Sequence, residues 1–475
     1  MSAAIVLFRR DLRLDDHAAL HAAIASGLRV IPLYVHAPEE DGNWQPGGAT
    51  RAWLARSLAA LDQSLRKLGS RLVLRCGRTL EVVVEVAAQT DASAVYWHRL
   101  YEPAAVARDA QLKQALKAQG LIAESFPGYL LNEPWSIKTQ VGEVYRVFTP
   151  YWRNAQKQIT QAIPLSAPEQ LSDPAISGIA LAELNLAAKP AWDQGFWEVF
   201  TPGEAGAAEA LELFLDDALN HYADGRNRPD QRGTSRLSPH LHFGEISVRQ
   251  LVHALGGAAS PAAYARAEPY LRELGWRDFS QQLLYHYPHT ADAPLNASFA
   301  EFPWASIQPA KLRAWQRGET GIPIIDAGMR ELIQTGWMHN RVRMIVASLL
   351  TKNLRYPWQE GARWFWDTLV DADLANNSQG WQWSAGCGAD AAPYFRIFNP
   401  VTQGERFDAN GDYVRKFVPE LRGLSAKTIH QPWLTGGVAG YPKPIVDLKT
   451  SREAALAAFA QFRGKGGESA AVRSE

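Results

Sequence analysis

Between Ala3 and about Leu131 the chain alternates short β-branched runs with segments of helical periodicity. AAIVLF, VIPLYV, RLVLR and SAVYWH are separated by stretches such as TRAWLARSLAALDQSLRKLG. Few folds accommodate that alternation. Strands joined through helices run parallel, and near-continuous apolar strands suit a sheet covered on both faces, so a doubly wound α/β domain is expected over residues 1–131. The first strand leads into FRRDLRLDDH and not into a GxGxxG turn, so no dinucleotide is expected on a glycine turn there.

Beyond that domain the pattern changes. Residues 132–202 mix Pro, Ala, Asp and Ser with weak periodicity (AIPLSAPEQLSDPAISGIA) and read as an interdomain connection with short helical pieces. From Gly203 helical periodicity dominates, from AAEALELFLDDALNHYADG to AALAAFAQFRG, so a larger, almost entirely helical domain is expected over 203–462. Residues 463–475 read as a disordered tail. At 475 residues, 47% of them hydrophobic, two or more cored domains are affordable in size.

The charge balance is even, with 49 basic and 49 acidic residues, so any nucleic-acid contact has to come from a local basic patch. Only Cys76 and Cys387 are present, which implies no disulfide framework and fits a reducing cytoplasm. The N-terminal apolar run stops at Arg9, Arg10 and Asp11, too short for a signal peptide or a membrane span. A soluble, cytoplasmic, monomeric protein without membrane contact is expected. Its 17 tryptophans call for much packing or for photochemistry.

One stretch concentrates that chemistry. From Trp364 to Pro400 the chain reads WFWDTLVDADLANNSQGWQWSAGCGADAAPYFRIFNP, crowding Trp364, Trp366, Trp381 and Trp383 with Asp371, Asp373, Asn376 and Asn377 around a Gly-rich turn. Indoles alone would suggest core. Carboxylates and amides among them need partners, because an unpaired buried polar group costs roughly 1–3 kcal/mol. A large, flat ligand with polar edges would supply them. Elsewhere, GTSRLSPHLHFG sets Thr234, Ser235, Arg236, Leu237 and Ser238 before Pro239 and a helical run, a pattern suited either to a capped helix or to a phosphate cradle. His240 and His242 lack further ligands nearby, so no metal site is expected. In DAGMRELIQTGWMHNRVRMIVASLL, positions 337, 340, 341 and 344 follow helical spacing and are expected on one face.

The runs DADLANNSQGWQW and DAAPYFRIFNP, together with GTSRLSPHLHFGEIS and TGIPIIDAGMRELIQTGWMHNRVRMIVASLL, resemble the flavin-binding half of the cryptochrome/photolyase family. The match extends from FRRDLRLDDH to FDANGDYVRKFVPEL. The pattern is that of the class I photolyases acting on cyclobutane pyrimidine dimers, carbon–carbon lyases. It implies FAD, active in its reduced anionic form, which on excitation passes an electron to a flipped-out dimer. The resemblance also implies the residues. FAD would be held by Tyr222, Thr234, Ser235, Arg236, Leu237, Ser238, Arg277, Trp337, Asn340, Arg343, Asp371, Asp373 and Asn377, with Arg343 paired to Asp371 and Asn377 facing the reactive flavin nitrogen. Glu273, Trp276, Asn340, Met344 and Trp383 would meet the lesion, with Trp276 and Trp383 sandwiching its bases. Glu273, Met344 and Asn377 would act closest to the reacting bonds. Arg226, with Arg228, Arg232 and Arg341, would take DNA phosphates, and Trp381, Trp358 and Trp304 would relay electrons to the flavin.

The resemblance implies an antenna chromophore in the N-terminal domain as well. Family members with a folate antenna carry Asn-Glu shortly after the fourth strand, whereas this chain has YEPAAVARD at Tyr101 to Asp109, so deazaflavin, flavin or an empty site stay open. Three other functions are compatible with parts of the pattern: a cryptochrome-type photoreceptor, a (6-4) photolyase, and an FAD enzyme of dark redox chemistry. Glu273, Trp276, Asn340 and Met344 match the dimer-repair pattern, and Asn340 stands where a (6-4) enzyme should carry His-His.

Overall fold

The computed structural model describes residues 2–159, 162–187, 191–256 and 260–466. Five strands form one parallel sheet: β1 (Ala3–Phe8), β2 (Arg29–His36), β3 (Val73–Cys76), β4 (Ala92–His98) and β5 (Ile122–Phe126), in the order β3-β2-β1-β4-β5. Helices Ala18–Ala25, Gly48–Lys67, Thr79–Thr90 and Pro103–Ala118 make the crossovers. β1 is buried over its whole length, as an unbroken apolar run requires, and its Ile5 and Leu7 share a core with Ile31, Leu33, Val83, Val95, Trp97 and Leu112. The order reverses between β1 and β4, the switch point at which open α/β sheets usually take ligands. The expected parallel α/β fold is therefore present. β5 was not among the expected runs. It is a short edge strand whose residues alternate between buried and exposed, so no continuous apolar run marks it.

The chain forms two compact units. The first comprises Met1–Tyr222, Thr234–Pro288 and Val370–Ala375, and the second Ala223–Gly233, His289–Leu369 and Asn376–Glu475. Within the first unit, part of the segment expected to be a connection lies along the outer edge of the sheet. Leu171 N donates to Leu68 O at 2.8 Å and Ile179 N to Leu74 O at 3.0 Å, which covers the open edge at β3. Its short helical pieces are Phe148–Ala155, Leu181–Leu184 and Gln194–Glu198. The same unit holds the long helix Pro261–His286. There Gly275 is required by packing, since a Cβ would stand 2.3 Å from the Trp152 ring.

The second unit is helical: Pro309–Arg317, Pro323–Thr335, Asn340–Ser348, Trp358–Thr368, Pro400–Phe407, Asp412–Phe417 and Leu448–Gly466, with most of Leu374–Ala385. Buried Asp326 accepts from Thr320 N, Thr320 Oγ1, Gly321 N and Tyr441 Oη, so one carboxylate fastens two distant loops. Two expectations are corrected here. Positions 337, 340, 341 and 344 of the Asp326–Leu350 run do not share one helical face. Gly336, with φ of 67°, ends the first helix in the left-handed conformation, and the His339 ring caps the next by accepting from Arg341 N. Trp337 therefore lies in the turn, while Asn340, Arg341 and Met344 begin the second helix. The last helix also continues through Gly466, four residues into the expected disordered tail, because helix propagation adds one hydrogen bond per residue once a turn exists. Residues 467–475 lie outside the described residues.

Candidate functional site

The turn after β1 is densely polar, and each charge in it has a local partner. Arg9 pairs with Asp109 at 2.6 Å and Arg10 with Glu102 at 2.7 Å, so two acids of the YEPAAVARD segment are engaged by the first turn. Asp11 Oδ2 lies 2.8 Å from His98 Nδ1 and 3.1 Å from His17 Nε2, and His17 Nδ1 accepts from Leu20 N. Burial lowers the pKa of both imidazoles, His98 to about 3, and both are neutral at pH 7. The donors of Asp11, His17 and His98 are close enough together to surround an ion. Asp11 hydrogen-bonds His98, and His17, beside it, accepts from Leu20 N, so the cluster works as a clamp between β1 and β4. Spacing alone did not mark it, since His98 is 87 residues from Asp11.

A second buried network joins Asp373 to the end of β5. Tyr129 Oη and Gln281 Nε2 both donate to Asp373 Oδ2, each at 2.9 Å. Arg277 Nη1 donates to Tyr129 O at 2.6 Å and Nη2 to Leu241 O at 3.4 Å, while the two guanidiniums of Arg277 and Arg10 stand 4.0 and 5.3 Å from the Tyr129 ring centroid. Asp278, the next residue, accepts from Leu131 N and Asn132 N, and burial pushes its pKa up to about 7. His242 lies in the field of Arg10, Asp373, Asp371 and Arg277. Burial, reinforced by Arg10, lowers its pKa to about 3.

The remaining expected residues of the first unit sit close to this network in sequence or on the same helices. Ser235 Oγ is 3.1 Å from Tyr270 Oη and accepts from Leu237 N at 3.3 Å, and Arg236 adopts a positive φ of 54°. Thr234 is half-buried and Ser238 is exposed at the start of the short helix Ser238–Phe243. Tyr222 packs its ring on Phe214 and Tyr270. Trp276 stacks on Phe148 with centroids 3.7 Å apart, and Glu273, one turn before it on the long helix, is half-buried. Asp371 is half-buried in the Val370–Ala375 segment.

In the second unit, Asn377 is buried and its Nδ2 donates to Ala362 O at 2.9 Å. Trp381 meets Phe365 and Trp315 at centroid distances of 5.0 and 6.1 Å, Trp358 is 2% exposed, and half-buried Trp304 meets Phe302 at 4.6 Å. Trp383 and Met344 are half-buried and Asn340 is exposed. Arg343 Nε donates to Met338 O at 2.8 Å, and its guanidinium stands 5.9 Å from the Trp337 ring. Arg341 is the centre of a cationic group. It lies 4.5 Å from the Phe407 ring, and burial together with Arg226, Arg406 and Arg396 lowers its pKa. Arg228, by contrast, pairs with Asp230 at 2.6 Å, and Arg232 is exposed.

The chain is similar to known proteins. Residues 4–169 match the family model "DNA photolyase", and residues 270–461 match "FAD binding domain of DNA photolyase". A deoxyribodipyrimidine photo-lyase of Agrobacterium fabrum is 46% identical over 97% of this chain and 98% of its own length. The chain belongs to the DNA photolyase family. Cryptochrome-1 of Arabidopsis thaliana is 37% identical over 97% of this chain and 70% of its own length. Among solved structures, a class III photolyase from Agrobacterium tumefaciens superposes with a TM-score of 0.93 at 45% identity, covering 98% of both chains.

As a photolyase-family chain it carries the family's FAD-binding domain, and its residues fit such a cofactor. Gln281 Oε1 and His242 Nδ1 are buried without a hydrogen-bond partner, the state expected of atoms shaped for a polar ligand or ordered water. Tyr129, Gln281, Arg396 and Arg406 were missed from sequence. Arg396 stands inside the DAAPYFRIFNP run, where nothing in the spacing marked it, whereas Tyr129, Gln281 and Arg406 stand outside the quoted runs or at their margin. No helix among the described residues is long and apolar enough to cross a membrane.

Proposed function

We propose that this protein repairs cyclobutane pyrimidine dimers in DNA in a light-driven reaction, as a deoxyribodipyrimidine photo-lyase. The gathering of Arg226, Arg341, Arg396 and Arg406 on a chain of zero formal charge carries the DNA side of this reading. Like charges brought together around Arg341 call for a polyanion, and a phosphodiester backbone is one. The photolyase relatives support the lesion class. One of the solved relatives is named a class III photolyase, and the activity we propose is dimer repair by a photolyase of either class.

FAD, when bound, would supply the electron chemistry that opens a cyclobutane ring. The chain's own residues bind, orient and exclude water. Asn377 has its Nδ2 tied to Ala362 O, which leaves Oδ1 as an acceptor for a ring N–H, and a neutral amide avoids the repulsion a carboxylate would exert on an anionic flavin. The loop from Thr234 to Ser238 would take the diphosphate. Trp276, held flat by Phe148, and Trp383 offer faces for flipped bases, with base–indole stacking worth roughly 1–3 kcal/mol. Glu273 would accept a hydrogen bond from a pyrimidine edge, while Asn340 and Met344 would line the lesion. Trp381, Trp358 and Trp304 would refill an oxidised flavin. We propose a monomer, with a flavin or deazaflavin antenna if one is carried.

Anaerobically reduced protein mixed with a thymine-dimer oligonucleotide should split the dimer in blue light and not in the dark. An absorption band beyond those of FAD would identify the antenna. The cryptochrome relatives favour one second reading, a photoreceptor, and retained flavin without splitting would select it. A protein that takes up no flavin would overturn both.

A further inference from the structure

We infer that Tyr129 is a positioning residue for the cofactor: its hydroxyl holds Asp373, and with it the Val370–Ala375 segment, in the conformation that takes FAD. The inference rests on the FAD reading above. Asp373 is 5% exposed, and a carboxylate so placed needs donors. Two reach Oδ2, Tyr129 Oη and Gln281 Nε2, both at 2.9 Å. Tyr129 comes from the stretch after β5, within residues 4–169, whereas Gln281 and Asp373 lie within the FAD-binding match at 270–461. One of the two donors is thus contributed by the α/β part of the chain.

Tyr129 is built to stay in place. Arg277 fixes its carbonyl at 2.6 Å, and Asp278 binds the backbone nitrogens of Leu131 and Asn132 at 3.3 and 2.8 Å, so one turn of the long helix grips the segment on which the ring stands. Arg277 and Arg10 stand 4.0 and 5.3 Å from the ring centroid, and Arg10 is itself tethered by Glu102 at 2.7 Å. A ring held at its backbone and flanked by two cations sets where the hydroxyl points. A merely structural latch would not need what lies beside it. Gln281 Oε1, on the amide that also holds Asp373, and His242 Nδ1, in the field of Asp373 and Asp371, are buried and have no partner. Polar atoms left open next to a fixed carboxylate mark the side from which a polar ligand completes the network.

The test compares Tyr129→Phe with Tyr101→Phe in the full-length protein. Tyr101 Oη donates to Glu133 at 2.5 Å in the same unit, so its loss is a matched control for the loss of a tyrosine–carboxylate bond. After removal of FAD, the cofactor is titrated back by flavin fluorescence, and the melting temperature of each FAD-free protein is recorded. Tyr129→Phe should raise the FAD dissociation constant about tenfold, as loss of a hydrogen bond to a charged group does, and Tyr101→Phe should leave it within about twofold while lowering the melting temperature comparably. Unchanged affinity in Tyr129→Phe, or equal losses in the two variants, would overturn the inference. Should Tyr129→Phe not fold, Gln281→Leu removes the other donor, with the same loss expected and unchanged affinity again overturning it. Wild-type protein that takes up no FAD would overturn the FAD reading and this inference together, whereas wild-type uptake with an unaltered variant overturns this inference alone.

Discussion

Lys352 is 1% exposed, with Nζ donating to Ala385 O at 2.9 Å and standing 3.5 Å from the Tyr394 ring centroid. Burial lowers its pKa to about 7, against about 10.4 in an unfolded chain. Between those values the unfolded chain binds the proton that the folded one has released, so stability rises with pH across that window. The gain is at most about 1.4 kcal/mol per pH unit. Urea unfolding at pH 7 and pH 9 should show it in the wild type and lose it in Lys352→Met, and parallel slopes in the two proteins would rule Lys352 out as the source. Residue chemistry of this kind was invisible beforehand. Lys352 reads as an ordinary surface lysine in TKNLRYP, and only the π-helical turn Leu349–Asn353 carries it inward.

The helix Trp358–Thr368 shows how an element serves a side chain on another. Gly361 faces the Trp381 indole so closely that a Cβ would stand 2.0 Å from it. Gly361→Ala should cost roughly 1–3 kcal/mol by overpacking. It should also displace the indole, so that photoreduction of oxidised flavin slows while chemically reduced protein still splits dimers. Unaltered photoreduction kinetics would separate Trp381 from that relay. At this scale most of the α/β half was legible, because strands buried on both faces write themselves as unbroken apolar runs. β5, half exposed, does not. The stretch from Thr320 to Leu350 misleads for a physical reason as well: Gly336 keeps the helical period going in the sequence while its left-handed backbone ends the helix. The Tyr129–Asp373 bond spans 244 residues, and nothing local to either residue announces it.

For the whole molecule, formal neutrality hides a local field. Long-range attraction to DNA cancels, so binding should depend on the arginines grouped with Arg341 and should weaken steeply as salt rises. Arg341→Ala should lower the slope of log K against log salt by roughly one and weaken damaged and undamaged DNA alike. A slope equal to the wild type's would place the phosphate contacts elsewhere.

The first unit is also assembled from three separated pieces of chain, the last of them the six residues Val370–Ala375. During synthesis, therefore, the sheet can form early, but Tyr129 has no Asp373 to hold until 244 further residues have been made. The first unit cannot be completed before the Val370–Ala375 segment has been made, and cofactor capture that relies on that carboxylate waits for it.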